Sequence, residues 1–158
     1  GSLGTPEAVA IENKIIAKIN EYQDAGYSLI YTRDTHESNY LDTQEGKNLP
    51  VEPCIIGTDG WQIVPSVFKE DYTLIVNKPT FGSTDLVDYF VDEHYDEVEL
   101  IGVCTGICVI SNALLLKAFD LDTKVIVDAS CCACVSPESH KTALAAMKMC
   151  QVQIINEG

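Results

Sequence analysis

The chain has 158 residues, with 10 Lys and Arg against 24 Asp and Glu, for a net charge of −14. That balance argues against a nucleic-acid or anionic-membrane surface, and no apolar run approaches the roughly 20 residues of a membrane span. A length of 158 with 46% hydrophobic residues is enough for one sizeable core, so a single domain over residues 1–158 is expected.

The first predicted element opens at Thr5-Pro6-Glu7, where a capping hydroxyl precedes a proline suited to the first helical position and an acid near the positive helix end. The helix is expected to run to Gly26, a fitting C-terminal cap. "YSLIYTRD" (27–34) predicts a buried strand. Residues 35–65 scatter Gly, Pro and Asn, and a loop that long is usually functional or mobile. "YTLIVNK" (72–78) predicts a second strand, and "STDLVDYFVDEH" (83–94) a helix behind a capping hydroxyl. "EVELIGV" (97–103) predicts a third strand, followed by a helix over 107–119. "TKVIVDA" (123–129) predicts a fourth strand, then a helix over 137–150, and "VQIIN" (152–156) a fifth. Near-continuous Val/Ile/Leu strands alternating with helices predict a parallel sheet covered on both faces. The expected class is α/β, a three-layer αβα sandwich. A crossover helix with no strand before it leads us to expect a further strand upstream of Gly1.

In open α/β sheets the site lies outside the carboxyl ends of the strands. That rule selects Arg33, Asp34 and His36, then Asn77 and Lys78, then the stretch from Cys104 to Cys108, and last the stretch from Asp128 to Cys134. Cys108 falls where a helix should begin, and unpaired N–H groups there lower a thiol's pKa and can stabilise an oxyanion. On the residues alone Cys108 is either a nucleophile or a core thiol. Lys78 is either a site residue or a salt-bridged surface lysine, and Asp34-x-His36 either a metal pair or an exposed loop. The seven cysteines, with no basic-then-apolar signal segment in view, point to free thiols in a reducing cytosol. "SCCAC" (130–134) lacks the second ligand pair of a zinc site, so small buried thiols are expected there. Trp61 and Phe81 stand between a substrate-pocket wall and local packing; for Trp61 a subunit contact is a further option. His94 and His140 read as surface or capping residues.

Taken together, "YTRDTH", "GTDGW", "VNKPTFGS", "LIGVCTGICV" and "VDASCCACVSPESHKTALAAM" resemble the isochorismatase-like cysteine hydrolase family, which includes nicotinamidases, over essentially the whole chain. The resemblance implies Cys108 as catalytic nucleophile and Lys78 as the triad lysine. It implies Asp34 and His36 as ligands of a divalent metal, zinc or iron, and a cis peptide between Val103 and Cys104. The backbone N–H groups of Cys104 and Cys108 would then form an oxyanion hole. It implies hydrolysis of a small, nicotinamide-like carboxamide through a Cys108 thioester, in a cytoplasmic dimer or tetramer. An N-carbamoyl substrate cleaved without metal and a non-catalytic binding or assembly module are the alternatives.

The chain departs from the family pattern in three places. The triad aspartate of the family belongs to a strand before a "GSLGT"-like stretch, and no residue in the chain matches it. Pro53 replaces the third metal-binding histidine, and proline offers no ligand. Gly106 replaces the aspartate of the T-D-x-C block, where glycine suits a tight loop.

Overall fold

The computed structural model describes residues 3–158. Thr5 caps helix α1 (Pro6–Ala10), its Oγ1 accepting the Ala8 N–H at 3.1 Å. The helix expected over 6–26 breaks at Ile11 and resumes as α2 (Glu12–Asp24). Strand β1 (Ile30–Asp34) follows, and the expected long loop contains a short helix α3 (Gln44–Asn48) between two single 3₁₀ turns. Then come β2 (Leu74–Lys78), α4 (Thr84–Glu93), β3 (Glu97–Val103), α5 (Ile110–Phe119), β4 (Lys124–Ala133), α6 (Pro137–Met149) and β5 (Gln153–Ile155). Ser83 caps α4, and Ser136 with Ser139 forms a capping box ahead of Pro137 on α6.

All the ladders are parallel, as the apolar strands predict, and the chain is α/β. They form two sheets, however: among the described residues β1 pairs with β2, and β3, β4 and β5 form the other sheet in that order. An apolar cavity of about 230 Å³ separates the facing edges, lined by Ile30 and Thr32 of β1, by Val98 and Leu100 of β3, and by Ile19 and Leu116 of the covering helices. The layers are visible in the alternation along β4. Val125, Val127 and Ala129 join Leu116 of α5 and Leu144 and Met147 of α6 in the core, while Asp128 turns to α2.

β4 is longer than the expected 123–129, because the small thiols of "SCCA" continue as buried strand. The β3–β4 register shifts between Leu100 and Gly102, so β4 bulges between Val127 and Cys132. The bulge puts Asp128, 1% exposed, into a buried cluster instead of the active rim expected for it. Lys18 Nζ of α2 lies 2.7 Å from Asp128 Oδ2 and 2.8 Å from Glu99 Oε1. Ser130 and Asn156 donate to Asp128 as well. Burial works against the Asp128 charge, but the hydrogen bonds from Lys18, Ser130 and Asn156 outweigh it and hold its pKa down to about 2. Glu99 accepts no well-aligned hydrogen bond and depends on the charge of Lys18.

Replacing Lys18 by Met therefore leaves two buried carboxylates facing each other, at a cost of about 3–5 kcal/mol. The expected fall in melting temperature is on the order of 10 °C. Because the folded-state pKa of Asp128 lies below its unfolded value, its contribution is complete above about pH 4 and lost as the pH falls toward 2. Thermal melts between pH 7 and 2 check both points, and Lys18→Met unfolding at the wild-type temperature would refute the first.

Candidate active site

Cys108 does not begin an α-helix. After β3 the Val103–Cys104 peptide is cis, as the resemblance implies, and the chain makes one π-helical turn, Thr105–Val109, before α5. The N–H groups of Ile107 and Val109 both turn back to the Cys104 carbonyl at 3.1 Å. They are spent inside the turn, which removes much of the expected helix-end effect. Burial pushes the Cys108 thiol above its ordinary pKa and the Asp34 charge adds to that; Lys78 and the backbone N–H of Cys104 pull the other way. The Cys104 thiol is pushed up to about 11 by burial and by its neighbours Cys134 and Cys108, so it stays protonated. All seven cysteines are free.

The β1–β2 register sets Asp34 directly beside Lys78. Lys78 Nζ bonds Asp34 Oδ1 and reaches the Thr80 carbonyl at 3.4 Å. The lysine is 2% exposed and the aspartate 28%. Burial disfavours the ammonium, but the facing Cys108 and Asp34 more than restore it, and its pKa lies above the ordinary lysine value. Cys108 Sγ donates to the same Asp34 Oδ1 at 3.9 Å. A cysteine, a lysine and a carboxylate thus converge at the ends of β1 and β2 and the turn after β3. The carboxylate beside Cys108 is that of Asp34, for which the resemblance implied a metal-binding role.

The residues at the expected metal site do not fit a metal. Asp34 is committed to Lys78. His36 is buried against the Tyr40 ring, with centroids 4.6 Å apart, and its Nε2 lies 3.5 Å from Glu45 Oε1. Pro53 is buried and offers no donor. Among the described residues no group of three His, Cys, Asp or Glu side chains is placed to hold a metal ion.

Trp61 stacks on Arg33, whose Cζ lies 3.6 Å from the ring centroid, and its Nε1 donates to Thr35 Oγ1 at 2.9 Å. Phe81 is 41% exposed. Neither side chain lines the inter-sheet cavity, which reaches Cys108, nor a second hollow of about 400 Å³ bounded by Thr35, His36, Tyr40 and Pro79. His94 is exposed at the end of α4. His140 is not a free surface residue: its Nδ1 lies 2.7 Å from Oγ1 of the fully buried Thr105, in the turn that carries Cys108. Sequence reasoning also passed over Asn112. The available signal was a single amide in the apolar run after Cys108.

The isochorismatase domain model matches residues 2–157. The chain belongs to the isochorismatase family. As an isochorismatase-like hydrolase it is similar in fold to a pyrazinamidase from Pyrococcus horikoshii solved in complex with zinc, at 25% identity and a TM-score of 0.85, over 98% of this chain and 89% of that one. It is also similar to a nicotinamidase/pyrazinamidase from Bacillus subtilis, at 23% identity and a TM-score of 0.81, over 94% of this chain and 85% of that one. An N-carbamoylsarcosine amidase from Thermoplasma acidophilum matches at 19% identity and a TM-score of 0.78, over 98% of this chain and 86% of that one. Among the described residues no helix is long and apolar enough to cross a membrane.

Proposed function

We propose that this isochorismatase-family protein hydrolyses the C–N bond of a small carboxamide through covalent catalysis by Cys108. The observation that carries the reading is the Cys108 thiol donating to a carboxylate whose other partner is the buried Lys78 ammonium. The thiol is protonated at rest, so a base must take its proton as sulfur attacks, and Asp34 is within reach. Sulfur adds to the amide carbon, and the backbone N–H groups of Cys104 and Cys108 stabilise the oxyanion. Asp34 then returns the proton to the departing nitrogen. Ammonia leaves a thioester, which water opens to the acid with Asp34 again as base. Lys78 holds Asp34 in position throughout.

A nicotinamide-like carboxamide is the first substrate class, in line with the names of the nicotinamidase-type structures of similar fold. The metal-independent reading, hydrolysis of another small C–N substrate such as an N-carbamoyl compound, is favoured by one observation: Asp34 and His36 are both engaged elsewhere. Ammonia release from a panel of carboxamides and N-carbamoyl compounds tests both. Silence on every substrate, with an unreactive Cys108, would leave the binding-module alternative. Activity is expected to survive exhaustive chelation, and elemental measurement to find less than one zinc or iron per chain. Stoichiometric metal lost together with activity is the contrary result. Assembly into a dimer or tetramer and residence in the cytoplasm complete the proposal.

A further inference from the structure

Asp34 and Lys78 belong to the two-stranded sheet, whereas Cys108 rides on the turn leaving the three-stranded one. Side chains that tie the turn of Cys108 to the loop after Lys78 bear on how these groups are set against each other. Asn112, 4% exposed, sits one helical turn beyond Cys108. Its Nδ2 donates to the Cys108 carbonyl at 2.8 Å and to the Phe81 carbonyl at 3.1 Å, and its Oδ1 accepts the Ser83 N–H at 2.9 Å. Phe81 and Ser83 lie in the loop that carries the chain on from Lys78, and Thr80 of that loop holds the lysine head through its carbonyl. The loop lies close on α5, since a side chain at Gly82 would meet Leu115 Cδ1 at 2.6 Å. Both amide protons and the oxygen of Asn112 are thus used to join the nucleophile turn to the lysine loop.

We infer that Asn112 is a positioning residue that fixes Lys78 and Asp34 against the Cys108 sulfur. The inference rests on the Cys108 reading above, but it has a readout that needs no substrate. A buried amide that served only stability would contribute through its satisfied hydrogen bonds. A positioning amide also governs how strongly the Lys78 charge is felt at Cys108. The charged and titratable groups facing that sulfur are Asp34 from β1, Lys78 from β2, Cys54 from the long loop and Cys104 from its own turn.

The experiment measures the pH profile of Cys108 alkylation by iodoacetamide, with the site resolved by peptide mass spectrometry. Asn112→Ala is compared with Ser83→Ala, which removes the α4 cap yet keeps the backbone N–H that Asn112 accepts. Asn112→Ala is expected to move the midpoint about one pH unit upward, a roughly tenfold slower alkylation below it, and to lower kcat more than it raises KM. Ser83→Ala is expected to lower the melting temperature with the alkylation profile unmoved. If Asn112→Ala shifts only the melting temperature, as the cap variant does, the inference is overturned. Should the alanine variant not fold, Asn112→Ser is judged by the same profile. If the wild-type protein hydrolyses no carboxamide or N-carbamoyl compound, the functional reading falls while the alkylation result still decides the role of Asn112.

Discussion

Cys108→Ala is expected to abolish ammonia release, with a loss on the order of 10⁴-fold or more, because removing a covalent nucleophile disables the other groups that act with it. The same variant is expected to keep its fold. Cys108 is half-buried and its sulfur makes only weak contacts, with Asp34, Lys78 and the Cys104 N–H, so the loss in stability is within about 1 kcal/mol. Ammonia release and a thermal melt on one preparation check both statements. Residual turnover within tenfold of wild type would mean that another group attacks the substrate. Cys104 is one alternative thiol beside it, yet with its pKa pushed up to about 11 it is overwhelmingly protonated at neutral pH.

Asp34→Asn is expected to move two observables in opposite directions. Asparagine keeps an oxygen for the Lys78 ammonium, so the buried lysine retains a partner and the fold holds. The negative charge that helps push the Cys108 thiol up is gone while Lys78 still pulls it down, so the Cys108 pKa falls. Alkylation at neutral pH should therefore speed up several-fold. Turnover should fall by about 10²–10³-fold, because no base takes the thiol proton and no acid delivers it to the leaving nitrogen. A single preparation assayed with iodoacetamide and with substrate separates the two effects. A variant slower in both would mean that Asp34 matters for holding the site together and not for carrying the proton.

The five strands were legible because each is a run of Val, Ile and Leu bounded by polar or turn residues. The cysteine block was legible through the family resemblance, which implied the cis Val103–Cys104 peptide that the structure has and named Cys108 and Lys78 together. What stayed hidden depends on pairing across the chain. Nothing in "YTRDTH" or "VNKPTF" says that Asp34 and Lys78 are neighbours; the parallel register of β1 and β2 does. The bulge of β4 that buries Asp128 could not be read from "VDASCC", where small thiols look like loop. The π turn hid Cys108's surroundings in the same way, since a periodic reading extends an α-helix through it. Asn112 and His140 looked incidental because hydrogen bonds to carbonyls and hydroxyls distant in sequence leave no local trace.

The spread of the candidate site over two ladders bears on how activity would be lost. Asp34 and Lys78 lie at the end of the β1–β2 ladder, and Cys108 lies on the turn that leaves β3, with the main core gathered around β4. Under the proposed mechanism the base and the sulfur must stay in register with each other, a narrower condition than being folded. A small displacement of the β1–β2 strand ends would leave the core around β4 intact and still part the carboxylate from the thiol.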